Sequence, residues 1–433
     1  MQILLIYFLI KKSNTNSSFD PDIILLMFFK NILIAEIAHF RQLSQKARAL
    51  TWSILLYQLA DISTWIFMLA FIVQQSGKLE SPAVFALGMY ITLPFTYILA
   101  AKLLRKYSLR DVSVTGLIGL GLMVMILFFL PVINFTVIFI FGLFYGIPLG
   151  LYWGTRSFLY TAEIADDQRD YVSGLTNSMA SIIGTTTPFI IGWLIALSPS
   201  WGWDKISSYR LLAMFALSIF VLAGLIIKKH STDNPIITKL WVKNPPKQWK
   251  LFRAFTFLGS MQFALAIALP GALIITYIGD EGVLGTIMGL IGVVTGLSLY
   301  ILGRLKNASN NRTKILLFGL VPLILSSVFM LVSFNYLSIL IYLVSMIIFD
   351  KLYWFVFFPI FYNQVEQNSD GGITTSYRLL FDHEIYINLG RVITTILYLY
   401  LIYNFDSKTA VSVIVMLAAL SQIGILGLVK RLK

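Results

Sequence analysis

Seven charged side chains stand inside long apolar stretches of this chain: Asp61, Arg156, Asp350, Lys351, Asp382, Glu384 and Arg391. A charge at the centre of a bilayer costs about 2.5–3.5 kcal/mol on insertion scales, so such a residue usually faces a cavity or a partner. With four acids and three bases, much of this charge can be paired. Asp350 and Lys351 are neighbours and point about 100° apart on a helix, so only one of them can face a central cavity. Glu384 and Arg391 share a face at i, i+7, about 10.5 Å apart along the axis, which is too far for a direct bond. Asp382, His383 and Glu384 lie one to two turns into their apolar stretch, where a hydrated helix end is expected, with a proton relay through His383 as the alternative.

The neighbours of these charges form stripes. Tyr57, Gln58, Trp65 and Met68 fall at −4, −3, +4 and +7 from Asp61, on one helix face. Leu149, Tyr152, Trp153, Arg156 and Tyr160 form a second stripe, and Asp350, Tyr353, Trp354 and Phe357 form a third. Aromatic faces of this kind can contact an amphipathic solute or pack against other helices. The acidic run Glu163, Asp166, Asp167 and Asp170, interrupted by Arg169, reads as a solvated capping turn, with a salt-bridged gate to the basic loops as the alternative.

The elements that must position these residues follow from composition. The chain has 433 residues, of which 58% are apolar and 12% charged, with a mean hydropathy of +0.81. A soluble chain carries about 25% charged residues. Lipid must therefore be the solvent over much of this one, which excludes a cytosolic enzyme, a secreted domain and a disordered protein. Apolar stretches long enough to span run at about 50–75, 82–103, 111–131, 133–160, 171–197, 207–228, 252–278, 282–303, 313–333, 335–362, 377–403 and 408–429. Their continuity excludes a transmembrane β-barrel. The expected architecture is all-α, with twelve transmembrane helices in two six-helix bundles. Residues 1–49 form an N-terminal extension, 50–228 the first bundle, 229–250 a basic linker and 251–433 the second bundle.

Charge tests the count. With the N-terminus cytoplasmic, 25 of the 33 Lys and Arg fall in cytoplasmic segments, four fall opposite (Lys78, Lys205, Arg210, Lys408), and four lie in or beside spans. Basic residues collect on the cytoplasmic side of spans, so both termini are expected inside, in the cell's inner membrane. The net charge of +13 is then a topology signal and no pointer to nucleic acid. Residues 23–40 read as an interfacial helix. The short apolar run 1–10 lacks a basic n-region, so a signal peptide is not expected. There is no cysteine, and His39, His230 and His383 are far apart, so neither a metal site nor a cofactor is expected.

The two halves echo each other. Tyr97-Ile98-Leu99 recurs as Tyr300-Ile301-Leu302, and Tyr152-Trp153 recurs as Tyr353-Trp354, at offsets of 203 and 201. Repeats of this kind mark secondary transporters. The arrangement resembles the major facilitator superfamily. That family's basic loop motif between spans 2 and 3 is matched by Arg105 and Arg110, without its glycines and aspartate; the second-half copy retains Gly303, with Asn307 in the acidic place and then Arg312. Gly184-x-x-x-Pro188-x-x-x-Gly192 resembles the motif of drug/proton antiporters, although small residues at this spacing also permit close helix packing.

The resemblance implies that spans 1, 4, 7 and 10 line a central cavity. Asp61, Arg156 and Asp350 would then be the proton-coupling residues, with Asp61 exchanging the proton and Arg156 tuning it. Tyr57, Gln58, Trp65, Tyr152, Trp153, Gln262, Tyr353 and Trp354 would line the cavity. Lys351, Asp382, Glu384 and Arg391 would form an accompanying charge network, and Arg105, Arg110, Gly303 and Arg312 would serve the cytoplasmic gate loops. The expectation is a monomeric secondary transporter in contact with membrane lipids, not an enzyme, moving a small amphipathic or lipid-like solute by alternating access with protons. The alternative is a nutrient symporter coupled to protons or sodium; a non-transporting receptor ranks below both. No phosphate-binding loop for nucleotide-driven pumping is present.

Overall fold

A computed structural model describes residues 34, 36–131, 133–229, 237, 240–303, 311–368 and 373–432. Among them, twelve helices are long and apolar enough to cross a membrane. They are α1 (Gln45–Ser76), α2 (Ser81–Leu103), α3 (Leu109–Phe129), α4 (Phe135–Glu163), α5 (Asp166–Leu197), α6 (Lys205–Lys228), α7 (Lys247–Leu273), α8 (Glu281–Gly303), α9 (Arg312–Val332), α10 (Tyr336–Asn368), α11 (Ile373–Asn404) and α12 (Ser407–Ser421), the last continued by α13 (Ile423–Val429). The expected spans are all present. Several helices extend past their apolar stretch, because a hydropathy scan reads only the lipid-facing length while backbone hydrogen bonding continues into polar flanks such as Gln45–Arg48. Residues 36–42 form a further short helix; the rest of the expected interfacial helix, and the apolar run 1–10, lie outside the described residues.

Local chemistry sets the helix ends. Ser44, Ser108 and Asn134 cap α1, α3 and α4 by accepting backbone N–H groups two or three residues into each helix. Gly77 ends α1 in the left-handed conformation (φ 66°), which a glycine adopts without a Cβ penalty. Asp406 caps α12; the hydroxyl and amide of Thr409 and the amide of Lys408 donate to it and hold its carboxyl below the ordinary value. Prolines inside α2, α4, α5, α7, α9 and α10 remove a backbone donor and favour bends there. After Pro270, α7 widens into a single π-turn, Ile274–Ile278.

Packing follows the same scheme twice. Within the first six spans α1 packs on α5 and α6, α2 on α4, and α3 on α4 and α6. Within the last six, α7 packs on α11 and α12, α8 on α10, and α9 on α10 and α12. The two sets join chiefly along α5·α8 and α2·α11, with smaller contacts of α7 with α1 and α2. The end bearing the starts of α1, α3 and α5, with the loop residues Arg105 and Lys106, is called the basic end below.

Candidate functional site

Asp61 lies halfway along the 32-residue α1. Tyr57, one turn earlier, and Arg156 and Tyr145 of α4 lie within electrostatic reach of its carboxylate. Tyr57 stacks on Tyr152 (4.1 Å between centroids), meets Trp153 edge-on at 6.0 Å, and touches Phe220 of α6 at 6.1 Å. The Arg156 guanidinium sits 4.6 Å over Trp153 and 6.0 Å from the Tyr57 ring. Asp61 and Arg156 thus share one aromatic enclosure, while no direct ion pair joins them among the described residues. Trp65 packs on Tyr145 and Phe85. Tyr57 and Tyr152 are buried and Trp153 is exposed. The Gln58 Oε1 and Tyr152 hydroxyl are buried and find no hydrogen-bond partner among the described residues.

Asp350 belongs to a second group, in the last six spans. Trp354 Nε1 donates to its Oδ1 at 3.1 Å, and Lys351 Nζ lies 3.6 Å from its Oδ2. Lys351 is the more exposed of the adjacent pair, as their divergent directions require. Arg391 of α11 lies within electrostatic reach of Asp350 and Tyr353. Its guanidinium sits 4.5 Å over Phe263 of α7 and 5.2 Å over Tyr90 of α2. Glu384 and Arg391 are joined through Asn388, which donates to Glu384 Oε2 at 3.0 Å and accepts from Arg391 Nη1 at 3.2 Å. Glu384 also accepts from the Tyr97 hydroxyl of α2 at 3.1 Å. Gln262 is buried and donates weakly to the Tyr342 hydroxyl at 3.4 Å. The three proton-coupling candidates therefore fall into two groups, Asp61 with Arg156 and Asp350 with Arg391.

Two expectations change. Asp382 and His383 are buried and do not form a hydrated helix end. Asp382 is clamped by Arg253 of α7 through Nε (2.8 Å) and Nη2 (2.5 Å), and by Trp249 Nε1 (2.6 Å). His383 packs among Phe252, Phe357 and Phe361. Glu163, read as part of a solvated turn, is instead buried and paired with Arg110, which also donates to the Ile227 carbonyl. Arg110 thereby ties α3 to α4 and α6 within the first six spans. Arg105 is exposed, Arg312 is half-buried at the start of α9, and Gly303 ends α8; Asn307 lies outside the described residues.

The Gly184/Pro188/Gly192 stripe lies on the α5·α8 contact. A Cβ on Gly192 would meet the Glu281 carbonyl oxygen, and one on Gly285 would meet that of Pro188. At this crossing the stripe serves close helix approach. Sequence reasoning passed over Glu281, placed near a span end, and the bridging Asn388, which carries no charge. Tyr145 was also missed, although it sits seven residues before Tyr152 on the same stripe.

Residues 47–378 match the Major Facilitator Superfamily. The chain belongs to that family, and it is an integral, multi-pass membrane protein of a transporter class. It is also similar to the Bacillus subtilis (strain 168) protein described as "Uncharacterized protein YqgE", at 24% identity over 269 residues, 61% of this chain. The matched region spans 62% of that relative's length.

Proposed function

We propose that this protein is a proton-coupled secondary transporter that moves a small amphipathic or lipid-like solute by alternating access. Asp61 is the proton-exchanging carboxylate and Arg156 the cation that tunes it. The observation that carries this reading is the grouping of Tyr57, Tyr145, Tyr152 and Arg156 around a mid-helix carboxylate, with no direct ion pair to it among the described residues. In such surroundings both the charged and the neutral carboxyl are accessible states, as proton exchange requires. Aromatic faces around it suit an apolar solute better than a sugar, which calls for more amide and acid groups.

Two six-helix bundles, residues 50–228 and 251–433, rock about this site, with 229–250 linking them. The protein is a monomer of the inner membrane with both termini in the cytoplasm; the 25-to-4 asymmetry of basic residues supports that orientation. Asp350 with Arg391 forms a second charged station, in the other bundle.

Purified protein in liposomes tests this, with dye-like amphipathic cations and lipid analogues screened under an imposed pH gradient. Wild type is expected to accumulate substrate in response to the gradient. Asp61→Asn is expected to retain substrate exchange but lose coupling by at least about tenfold. Full coupling in the mutant removes Asp61 as the carrier. A response to a sodium jump without a pH change favours the symporter alternative.

A further inference from the structure

Among the buried carboxylates outside the two charge groups, Glu281 is held from across the two sets of spans, whereas Glu163 and Asp382 are paired within their own set. Glu281, in the first turn of α8, is fully buried, and the side-chain donors that hold it come from the first six spans. Gln74 Nε2, at the end of α1, donates to Oε1 at 2.8 Å. Lys205 Nζ, at the start of α6, donates to Oε2 at 2.8 Å. The Tyr209 hydroxyl, one turn further along α6, donates to Oε1 at 3.2 Å. The Glu281 carbonyl also lies against Gly192 of α5, and Trp193 Nε1 donates to Thr286 at 3.0 Å beside it. Helices α1, α5 and α6 thus grip one residue of α8 at the end of the bundle away from the basic loops.

The two sets of spans are also joined nearer the basic end. The Tyr377 hydroxyl donates to the Tyr97 carbonyl at 2.6 Å, and the Tyr377 ring stacks on Phe158 at 5.3 Å. These are neutral. At the Glu281 end, separation would strip a buried carboxylate of an ion pair and two hydrogen bonds at once. A buried charge left without partners is strongly unfavourable, so the contact favours the fully closed and fully released states over partly separated ones.

We propose that Glu281 is the positioning residue that holds shut the end of the bundle opposite the basic loops, and that its release from Lys205, Gln74 and Tyr209 opens that end. The role concerns helix orientation and not the cargo, and it stands independently of the role given to Asp61.

The chain has no cysteine, so spin labels can be placed without first removing native thiols. Ser200→Cys and Lys408→Cys, both exposed and on different halves at this end, report its opening by electron–electron distance. Glu281→Gln preserves the side-chain shape and an acceptor for Tyr209 but loses the ion pair. It is expected to raise the open-to-closed ratio by at least about fivefold. Lys205→Met should shift it in the same direction, and the double variant should add little to either. The exchange Lys205→Glu with Glu281→Lys should recover the short distance. A merely structural residue would lower thermal stability and leave the distance distribution in place. Unchanged distances in Glu281→Gln and Lys205→Met, with monodisperse protein, overturn the proposal. Should Glu281→Gln fail to fold, Lys205→Met and Gln74→Leu decide the matter alone.

Discussion

Asp61 and Arg110 both carry charge in buried surroundings, and their neighbours separate them. Asp61 has a phenol and a guanidinium nearby and no direct ion pair among the described residues, which is what its proposed role in proton exchange requires. Arg110 is locked to Glu163 and to the Ile227 carbonyl, which makes it a fixed strut. Breaking a buried pair by removing one partner costs about 3–5 kcal/mol, because the other charge is left uncompensated. Arg110→Met is therefore expected to lower the melting temperature in detergent markedly, while exposed Arg105→Ala leaves it unchanged. Equal effects would mean that Arg110 owes nothing to its burial. The two arginines look alike in the degenerate loop motif, and only the position of Arg110 beneath the end of α6 distinguishes them. The charges themselves were legible from sequence, since each interrupts an apolar stretch. Their partners were not: Asp382 meets Arg253 and Trp249 across some 130 residues of chain.

At the scale of elements, the α5·α8 crossing shows what a small-residue stripe does. Gly184 and Gly192 are equivalent in sequence spacing but not in space. A Cβ on Gly184 meets nothing within 4 Å, whereas one on Gly192 lands on the Glu281 carbonyl oxygen. Gly184→Ala is expected to be neutral or slightly stabilising, because alanine favours the helix by up to about 1 kcal/mol. Gly192→Ala should cost about 1–3 kcal/mol, the usual penalty of overpacking, and loosen the end that Glu281 holds. Thermal unfolding with the same spin-label pair checks both; an equal response of the two variants refutes the packing account. The spans were readable because each must satisfy its own backbone in lipid and so needs a continuous apolar stretch. Helix ends were less readable where polar residues continue the helix, as at Gln45 and Lys247.

For the whole molecule, the recurrence of packing pairs at a six-helix offset accompanies the weak sequence echoes at Tyr97/Tyr300 and Tyr152/Tyr353. The charge asymmetry makes a prediction of its own. Single cysteines at Lys78 and Lys408 should react with a membrane-impermeant maleimide added to intact cells or right-side-out vesicles. Cysteines at Lys106 and Lys430 should react only after permeabilisation. The reverse pattern would invert the topology and move the Glu281 contact to the cytoplasmic side.

The sequence alone determined the solvent, the number of spans and the presence of charges that must be sheltered. These are consequences of composition and local continuity, which lipid enforces helix by helix. Only the tertiary structure decided which charges meet. It set Arg156 near Asp61 and Arg391 near Asp350, bridged Glu384 to Arg391 through Asn388, buried Glu163 under Arg110, and brought Glu281 between α1 and α6. Those pairings depend on how helices far apart in sequence are turned toward each other, and no local spacing encodes that orientation.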